Sequence, residues 1–166
     1  QLLKDIGITT TLIGHSESRS LFGDSEEVIS AKLKNAEANL FEIVMCVGEV
    51  LSERENQQTV QVLKRQLDTV KSSIKNWDKV IIAYEPVWAI GTGKTASPEE
   101  AEETILEIRN WIKENVSEEV STKISIIYGG SVNGSNCEKL ISQKNIDGFL
   151  VGGASLKSEF KKIVDS

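Results

Sequence analysis

Several residue types are scarce in this chain of 166 residues, and each scarcity excludes a class of function. The chain has one histidine, His15, and two cysteines, Cys46 and Cys137. One histidine and two dispersed cysteines lack the spacing of metal ligands, so we expect no metal site. Two such cysteines also do not make a disulfide framework, which favours a reducing compartment.

Long apolar runs and an excess of positive charge are missing too. No stretch is long enough to span a bilayer, and no signal peptide is visible. The net charge of −6 does not favour a nucleic acid or an anionic membrane as partner. A nucleophile elbow, a Walker loop and a dinucleotide fingerprint are all absent, and we expect no cofactor. An anionic ligand would have to be held by local backbone donors.

Apolar, strand-like runs alternate with helical patterns along the whole chain. Strands are predicted near Thr11–Gly14, Ile43–Gly48, Val80–Tyr84, Ile124–Tyr128 and Gly148–Val151. These runs lack polar alternation, which is typical of a sheet buried on both faces, and five successive βα units predict parallel strands. We therefore expect one α/β domain over residues 1–166, either a doubly wound sheet or a (β/α)8 barrel.

Three helices are predicted from apolar residues that recur every three or four positions. The stripes are Ile29-Leu33-Ala36-Leu40, Val60-Leu63-Leu67-Val70-Ile74 and Ala101-Ile105-Ile108-Ile112. Ser97, Pro98 and Glu100 predict a capped start for the last of these, and Asp24 with Glu27 predicts a capping box for the first.

The first residues of the chain read as the end of a helix, with Gly7 as its C-terminal stop. A domain seldom begins on the last turn of a helix. We therefore expect that a segment N-terminal to Gln1 is missing from this sequence.

Two polar residues stand directly after predicted strands. Glu85 ends one strand, and the loop Pro86–Thr95 follows it, which is a common way to build a proton-abstracting site under a lid. His15 follows the first strand at the start of a short helix, whose dipole opposes protonation of the imidazole. A neutral imidazole can polarise a carbonyl. Taken singly, however, either residue fits a structural role.

Two glycine pairs, Gly129-Gly130 and Gly152-Gly153, follow the last two predicted strands. Glycine lets backbone N–H groups approach a ligand closely, and a following helix start adds a favourable dipole. Two such turns after consecutive final strands match the phosphate site that barrel enzymes build after strands seven and eight.

With these residues assembled, the sequence resembles the triosephosphate isomerase family. The matching motifs are GHSE at Gly14–Glu17, CVGE at Cys46–Glu49, YEPVWAIGTGK at Tyr84–Lys94, YGGSV at Tyr128–Val132 and GFLVGGASL at Gly148–Leu156. The resemblance implies a (β/α)8 TIM barrel, of which this chain supplies about five consecutive βα units, the first three being absent. It also implies a cytoplasmic, homodimeric isomerase of glycolysis and gluconeogenesis that interconverts dihydroxyacetone phosphate and glyceraldehyde 3-phosphate through an enediolate.

The resemblance assigns roles residue by residue. Glu85 matches the catalytic base, and His15 matches the neutral electrophile. The donors to the substrate phosphate match Gly91, Ser131, Gly152 and Gly153.

The loop after Glu85 resembles a closing lid with two hinges, Pro86-Val87-Trp88 and Lys94-Thr95-Ala96. Ile90 and Leu150 match an apolar clamp over the carboxylate. Glu49 matches the acid that holds Trp88 when the loop is open, and Tyr128 and Ser131 match the partners of the closed loop.

The sequence departs from the family in two ways. Ser18 stands where the first of two arginines is usual, in a region that lies at the family's dimer interface. No lysine can be assigned the role of the one on the family's first strand, so we expect this chain alone to be inactive. A non-catalytic structural or interaction subunit, and another phosphate-binding barrel enzyme, remain the alternatives.

Overall fold

A parallel β-sheet forms the centre of the computed structural model, which describes residues 2–90 and 95–166. Its strands are β1 (Thr10–Ile13), β2 (Glu42–Val47), β3 (Val80–Tyr84) and β4 (Ile126–Tyr128). They pair in chain order, and each pair is parallel. The prediction of a parallel α/β fold is therefore confirmed.

The strand register brings the candidate site residues to one edge of the sheet. Val47 pairs with Tyr84, and Tyr84 pairs with Tyr128, so the residues that follow each strand lie side by side. The Glu85 N–H donates to the Val47 carbonyl at 2.8 Å, and the Gly129 N–H donates to the Tyr84 carbonyl at 2.8 Å. The backbone at Tyr84 and Glu85 is thus held on both sides, by the ends of β2 and β4.

The fifth predicted strand, Gly148–Val151, forms only an isolated parallel bridge between Phe149 and Tyr128. Around the bridge, the Tyr128 N–H donates to the Gly148 carbonyl and the Leu150 N–H donates to the Tyr128 carbonyl, both at 3.0 Å. Because the run forms a single bridge, at Phe149, it is not a fifth strand of the sheet. In residues 2–90 and 95–166 the sheet therefore has four strands, and a closed barrel is not observed there.

Helices alternate with the strands along the chain and pack against the sheet. They are α1 (Leu2–Asp5), α2 (Ser16–Leu21), α3 (Glu26–Ala38), α4 (Leu51–Glu55), α5 (Thr59–Ser73), α6 (Pro98–Asn115), α7 (Glu118–Lys123), α8 (Cys137–Ile141) and α9 (Phe160–Val164), with 3-10 turns at Trp77–Lys79, Val87–Ala89 and Gly153–Leu156. The apolar stripes of α3, α5 and α6 supply fully buried side chains such as Leu33, Leu67 and Ile105. Each such burial contributes about 1.5–3 kcal/mol. No helix in the described residues is both long and apolar enough to cross a membrane.

The helix ends confirm one predicted capping box and correct another. Ser97 and Glu100 cap α6 reciprocally, at 3.1 Å from the Glu100 N–H to Ser97 Oγ and 2.8 Å from the Ser97 N–H to Glu100 Oε2. The prediction that Asp24 caps α3 is wrong, because the Ser25 hydroxyl accepts the Val28 N–H while the Asp24 carboxylate pairs with Lys32. At the start of the chain, Gly7 follows α1 with φ +83°, as expected for a helix stop.

Candidate active site

His15 and Glu85 lie in contact at the carboxyl edge of the sheet. His15 follows β1 and Glu85 follows β3, and their Nε2 and Oε1 atoms are 3.1 Å apart. Between them, the chain after β2 runs against Glu85: a Cβ built on Gly48 would lie 1.7 Å from the Glu85 carbonyl oxygen. A glycine at this position therefore allows the close approach that brings the two side chains together.

The hydrogen bonds of His15 determine which ring nitrogen carries a proton. His15 is the N-cap of α2, and its Nδ1 accepts the Glu17 N–H at 3.3 Å. An accepting Nδ1 has no hydrogen, so the proton of the neutral ring is on Nε2, the atom that faces Glu85. The backbone of α2 thus orients the ring so that Nε2 faces the site.

Glu85 is a buried carboxylate, with 2% of its surface exposed. Its Oε2 accepts the N–H of Ser16 at 3.1 Å while Oε1 faces His15. Burial raises the pKa of Glu85 above its ordinary value, and the neighbouring His15 and the Ser16 N–H act in the opposite direction. A carboxylate with a raised pKa is a stronger base once it is ionised.

Cys46 lies next to Glu85 and is a contact that the sequence analysis missed. Its side chain is fully buried on β2, beside the Glu85 carboxylate. Burial, followed by the charge of Glu85, raises the pKa of the Cys46 thiol far above its usual range, so the thiol stays protonated and is not a nucleophile. No local sequence pattern indicates this contact, because it depends on β2 and β3 lying side by side.

The two glycine pairs serve different purposes. A Cβ on Gly129 would lie 3.0 Å from Cγ of Glu85, and a Cβ on Gly130 would lie 2.2 Å from the Tyr128 hydroxyl. Local packing therefore explains the first pair. Gly152 and Gly153 are exposed, and a Cβ on either would meet nothing within 4 Å, so their backbone remains accessible to a ligand.

Glu49 anchors the start of the loop after Glu85. Its carboxylate is fully buried and accepts the Trp88 indole N–H at 2.9 Å and the Tyr84 hydroxyl at 3.2 Å. Arg54, which sequence reasoning also missed, donates to Glu49 at 3.1 Å and to Glu100 at 3.1 Å. Its guanidinium also lies 4.6 Å from the centre of the Trp88 ring. Arg54 thus connects the chain after β2 with Trp88 and with the first turn of α6.

The remaining predicted site residues lie around this loop. The Ser131 hydroxyl donates to the Ala89 carbonyl at 2.8 Å, which connects the turn after β4 to the loop after Glu85. Pro86 is buried, Ile90 and Leu150 are half-buried, and burial raises the pKa of Tyr128 to about 12. Gly91, predicted as a phosphate donor, and Lys94 of the second hinge lie outside the described residues.

Comparison with known protein families gives one finding. A family model described as triosephosphate isomerase matches residues 1–166, which is the whole of the sequence. The match therefore includes His15, Glu85 and the loop between β3 and α6.

Proposed function

The chain belongs to the triosephosphate isomerase family, and on that premise we propose that its His15–Glu85 pair interconverts dihydroxyacetone phosphate and glyceraldehyde 3-phosphate. The observation that carries the proposal is the 3.1 Å contact between the His15 imidazole and the buried Glu85 carboxylate. A base and a hydrogen-bond donor at this separation can act on neighbouring atoms of one small substrate.

In the proposed reaction, Glu85 removes a proton from the carbon beside the substrate carbonyl. The His15 Nε2–H donates to the carbonyl oxygen, where negative charge develops, and an enediolate forms. His15 shuttles a hydroxyl proton between the two oxygens, and Glu85 returns its proton to the adjacent carbon. In the structure Glu85 accepts the Ser16 N–H through Oε2 and contacts His15 Nε2 through Oε1, so the substrate must displace these contacts to reach the base.

We assign the substrate phosphate to backbone donors at Gly91, Gly152 and Gly153, together with Ser131. The exposed backbone of Gly152 and Gly153 supports this assignment. Backbone amides and helix starts can hold a phosphate dianion in a protein of net charge −6, where the overall field does not attract an anion.

The loop Pro86–Thr95 is proposed as a lid over the substrate. Release of Trp88 from Glu49 would allow it to close, and Ile90 and Leu150 would then clamp the Glu85 carboxylate. Closure excludes water, which disfavours the charged form of Glu85 and strengthens it as a base. The bond from Ser131 to Ala89 supports an interaction between the β4 turn and the lid.

We further propose that the protein acts as a homodimer in the cytoplasm, in glycolysis and gluconeogenesis. Leu21 and Phe22, at the C-terminal end of the helix that follows His15, are 71% and 80% exposed. Exposed apolar residues of this size favour a protein interface in that region.

The proposal is tested with the protein expressed from its complete gene, by the rate at which glyceraldehyde 3-phosphate is isomerised. Glu85→Gln should lower kcat by roughly 10²–10⁴-fold, the usual contribution of a general base. Glu107→Gln, which removes an exposed carboxylate on α6, is the matched control and should leave kcat unchanged. Wild-type protein without isomerase activity would favour the non-catalytic alternative, and an active Glu85→Gln protein would refute the assignment of the base.

A further inference from the structure

The loop between β4 and α8 contains an asparagine in a setting unlike that of any other in the chain. Of nine asparagines, Asn133 is the only one followed by glycine. Because Gly134 has no Cβ, its main-chain nitrogen can approach the preceding side-chain amide with least hindrance. Asn133 and Gly134 are also half-exposed, so water reaches them.

The side-chain carbonyl of Asn133 is polarised by two donors. Its Oδ1 accepts the Ser135 N–H at 2.8 Å and the Ser135 hydroxyl at 2.5 Å. Both bonds withdraw electron density from Cγ, and both would stabilise the negative charge that Oδ1 gains when a nucleophile attacks Cγ. The amide carbon is therefore activated as an electrophile.

The Gly134 nitrogen, which would attack Cγ of Asn133, lies beside the carboxylate of Glu159. The Gly134 N–H donates to Oε2 of Glu159 at 2.9 Å. A carboxylate in hydrogen-bond contact with this N–H can accept its proton as the nitrogen attacks. Glu159 reaches the loop from the residue immediately before α9, so the folded chain brings the two together.

We propose that Asn133 is a site of spontaneous deamidation, promoted by Ser135 and Glu159. The Gly134 nitrogen forms a bond to Cγ of Asn133 and passes its proton to Glu159. The bond from Cγ to Nδ2 breaks, and Nδ2 leaves as ammonia after it takes up that proton. Water then opens the five-membered imide at either carbonyl, and the product is aspartate or isoaspartate.

The product alters the turn that carries Ser131. The Asn136 side chain accepts the Asn133 N–H at 2.8 Å and donates to the Ser131 carbonyl at 2.8 Å, so it joins the two residues. Deamidation adds a negative charge beside this turn, and isoaspartate also lengthens the main chain. This consequence rests on the proposed function: if Ser131 helps hold a phosphate, KM should rise by about fivefold, with a smaller effect on kcat.

The chemistry is tested without any activity measurement, by ageing the protein in mildly alkaline buffer and mapping deamidation by peptide mass spectrometry. Asn133 should convert faster than the other eight asparagines, and isoaspartyl methyltransferase should label the product. Ser135→Ala and Glu159→Gln should each slow the conversion severalfold. Ser72→Ala and Glu114→Gln, which change exposed positions on other helices, should not.

Unfolded protein provides the second comparison. In denaturant the folded contacts are lost, so wild type, Ser135→Ala and Glu159→Gln should convert Asn133 at one rate. The proposal is overturned if folded Asn133 converts no faster than the other asparagines, or if either variant accelerates the reaction. If Asn133 deamidates in a protein that lacks isomerase activity, the deamidation proposal stands and the proposed function is refuted. Asn133→Asp, assayed for KM, measures the effect of the added charge alone.

Discussion

The buried negative charge of Glu85 lowers the stability of the native state, and a glutamine at this position would carry no such charge. Because burial raises the pKa of Glu85, the native state binds its proton more tightly than the unfolded chain does. The free energy of unfolding therefore falls as pH rises from the ordinary pKa of a glutamate through the raised native value. We predict that Glu85→Gln unfolds at higher denaturant than wild type at about pH 7, and that the difference shrinks towards about pH 4. A Glu85→Gln protein that is less stable at neutral pH would contradict this account.

Gly129 and Gly153 offer a matched pair of substitutions. A Cβ at Gly129 meets Glu85 at 3.0 Å and Leu150 at 3.5 Å, whereas a Cβ at Gly153 meets nothing within 4 Å. Gly129→Ala should therefore lower the free energy of unfolding by about 1–3 kcal/mol and displace Glu85. Gly153→Ala should change it by no more than about 0.5 kcal/mol in the same urea titration. Equal effects would mean that Gly129 is not required for packing against Glu85.

The two residues at strand ends could be predicted from the sequence, but their supporting contacts could not. His15 and Glu85 each follow an apolar run, and parallel strands place such positions at one edge. Cys46 and Arg54 read as an ordinary strand residue and an ordinary helix residue. Their roles depend on which side chain lies opposite in space, which no local pattern records.

Among the elements, α4 contacts the first residues of the loop after Glu85 through one side chain, that of Arg54. Arg54 contacts the buried Glu49, the exposed Glu100 and the ring of Trp88. Removing it leaves a buried carboxylate short of a donor, so Arg54→Met should cost about 1–3 kcal/mol of stability and change the fluorescence of Trp88.

Glu100→Gln is the control for that variant, since an exposed ion pair contributes no more than about 1 kcal/mol. The double variant Arg54→Met/Glu49→Gln should recover most of the lost stability, because the uncompensated charge is gone. If urea unfolding shows no recovery, Arg54 acts through packing and not through Glu49.

Helix and strand boundaries were predictable only where the chemistry was unambiguous. Ser97, Pro98 and Glu100 offer one way to begin a helix, and α6 begins there. Before α3, Asp24 and Ser25 are both good N-caps, and Lys32 draws the Asp24 carboxylate away from the helix end. Gly148–Val151 has the apolar composition of a strand. A strand also requires continuous pairing with a neighbour, and this segment forms only the bridge between Phe149 and Tyr128.

At the scale of the whole molecule, the proposed homodimer gives a separate prediction. Phe22 lies at the carboxyl edge of the sheet, after α2, and Leu40 lies at the opposite edge, just before β2; both are more than half exposed. Phe22→Asp should weaken the dimer by at least about tenfold, as expected when a central apolar contact is lost. Leu40→Asp should leave the oligomeric state unchanged in sedimentation velocity. Dissociation by both variants, or by neither, would contradict an interface at Phe22.

The order and direction of the strands could be predicted from the sequence, whereas closure of a barrel could not. Alternating strands and helices require parallel pairing, and β1 to β4 pair in that way. Closure depends on strand tilt and stagger around a complete ring. Such a property belongs to the set of strands together and leaves no signature in any one of them.

The central claim is that Glu85 moves a proton on a triose phosphate, and hydrogen exchange with solvent tests it most directly. Protein expressed from its complete gene is incubated with dihydroxyacetone phosphate in deuterium oxide, and deuterium at the carbon beside the carbonyl is measured by NMR. We predict that wild type and Glu107→Gln incorporate deuterium, and that Glu85→Gln does so at a rate lower by roughly 10²–10⁴-fold. Equal incorporation by wild type and Glu85→Gln would contradict the claim.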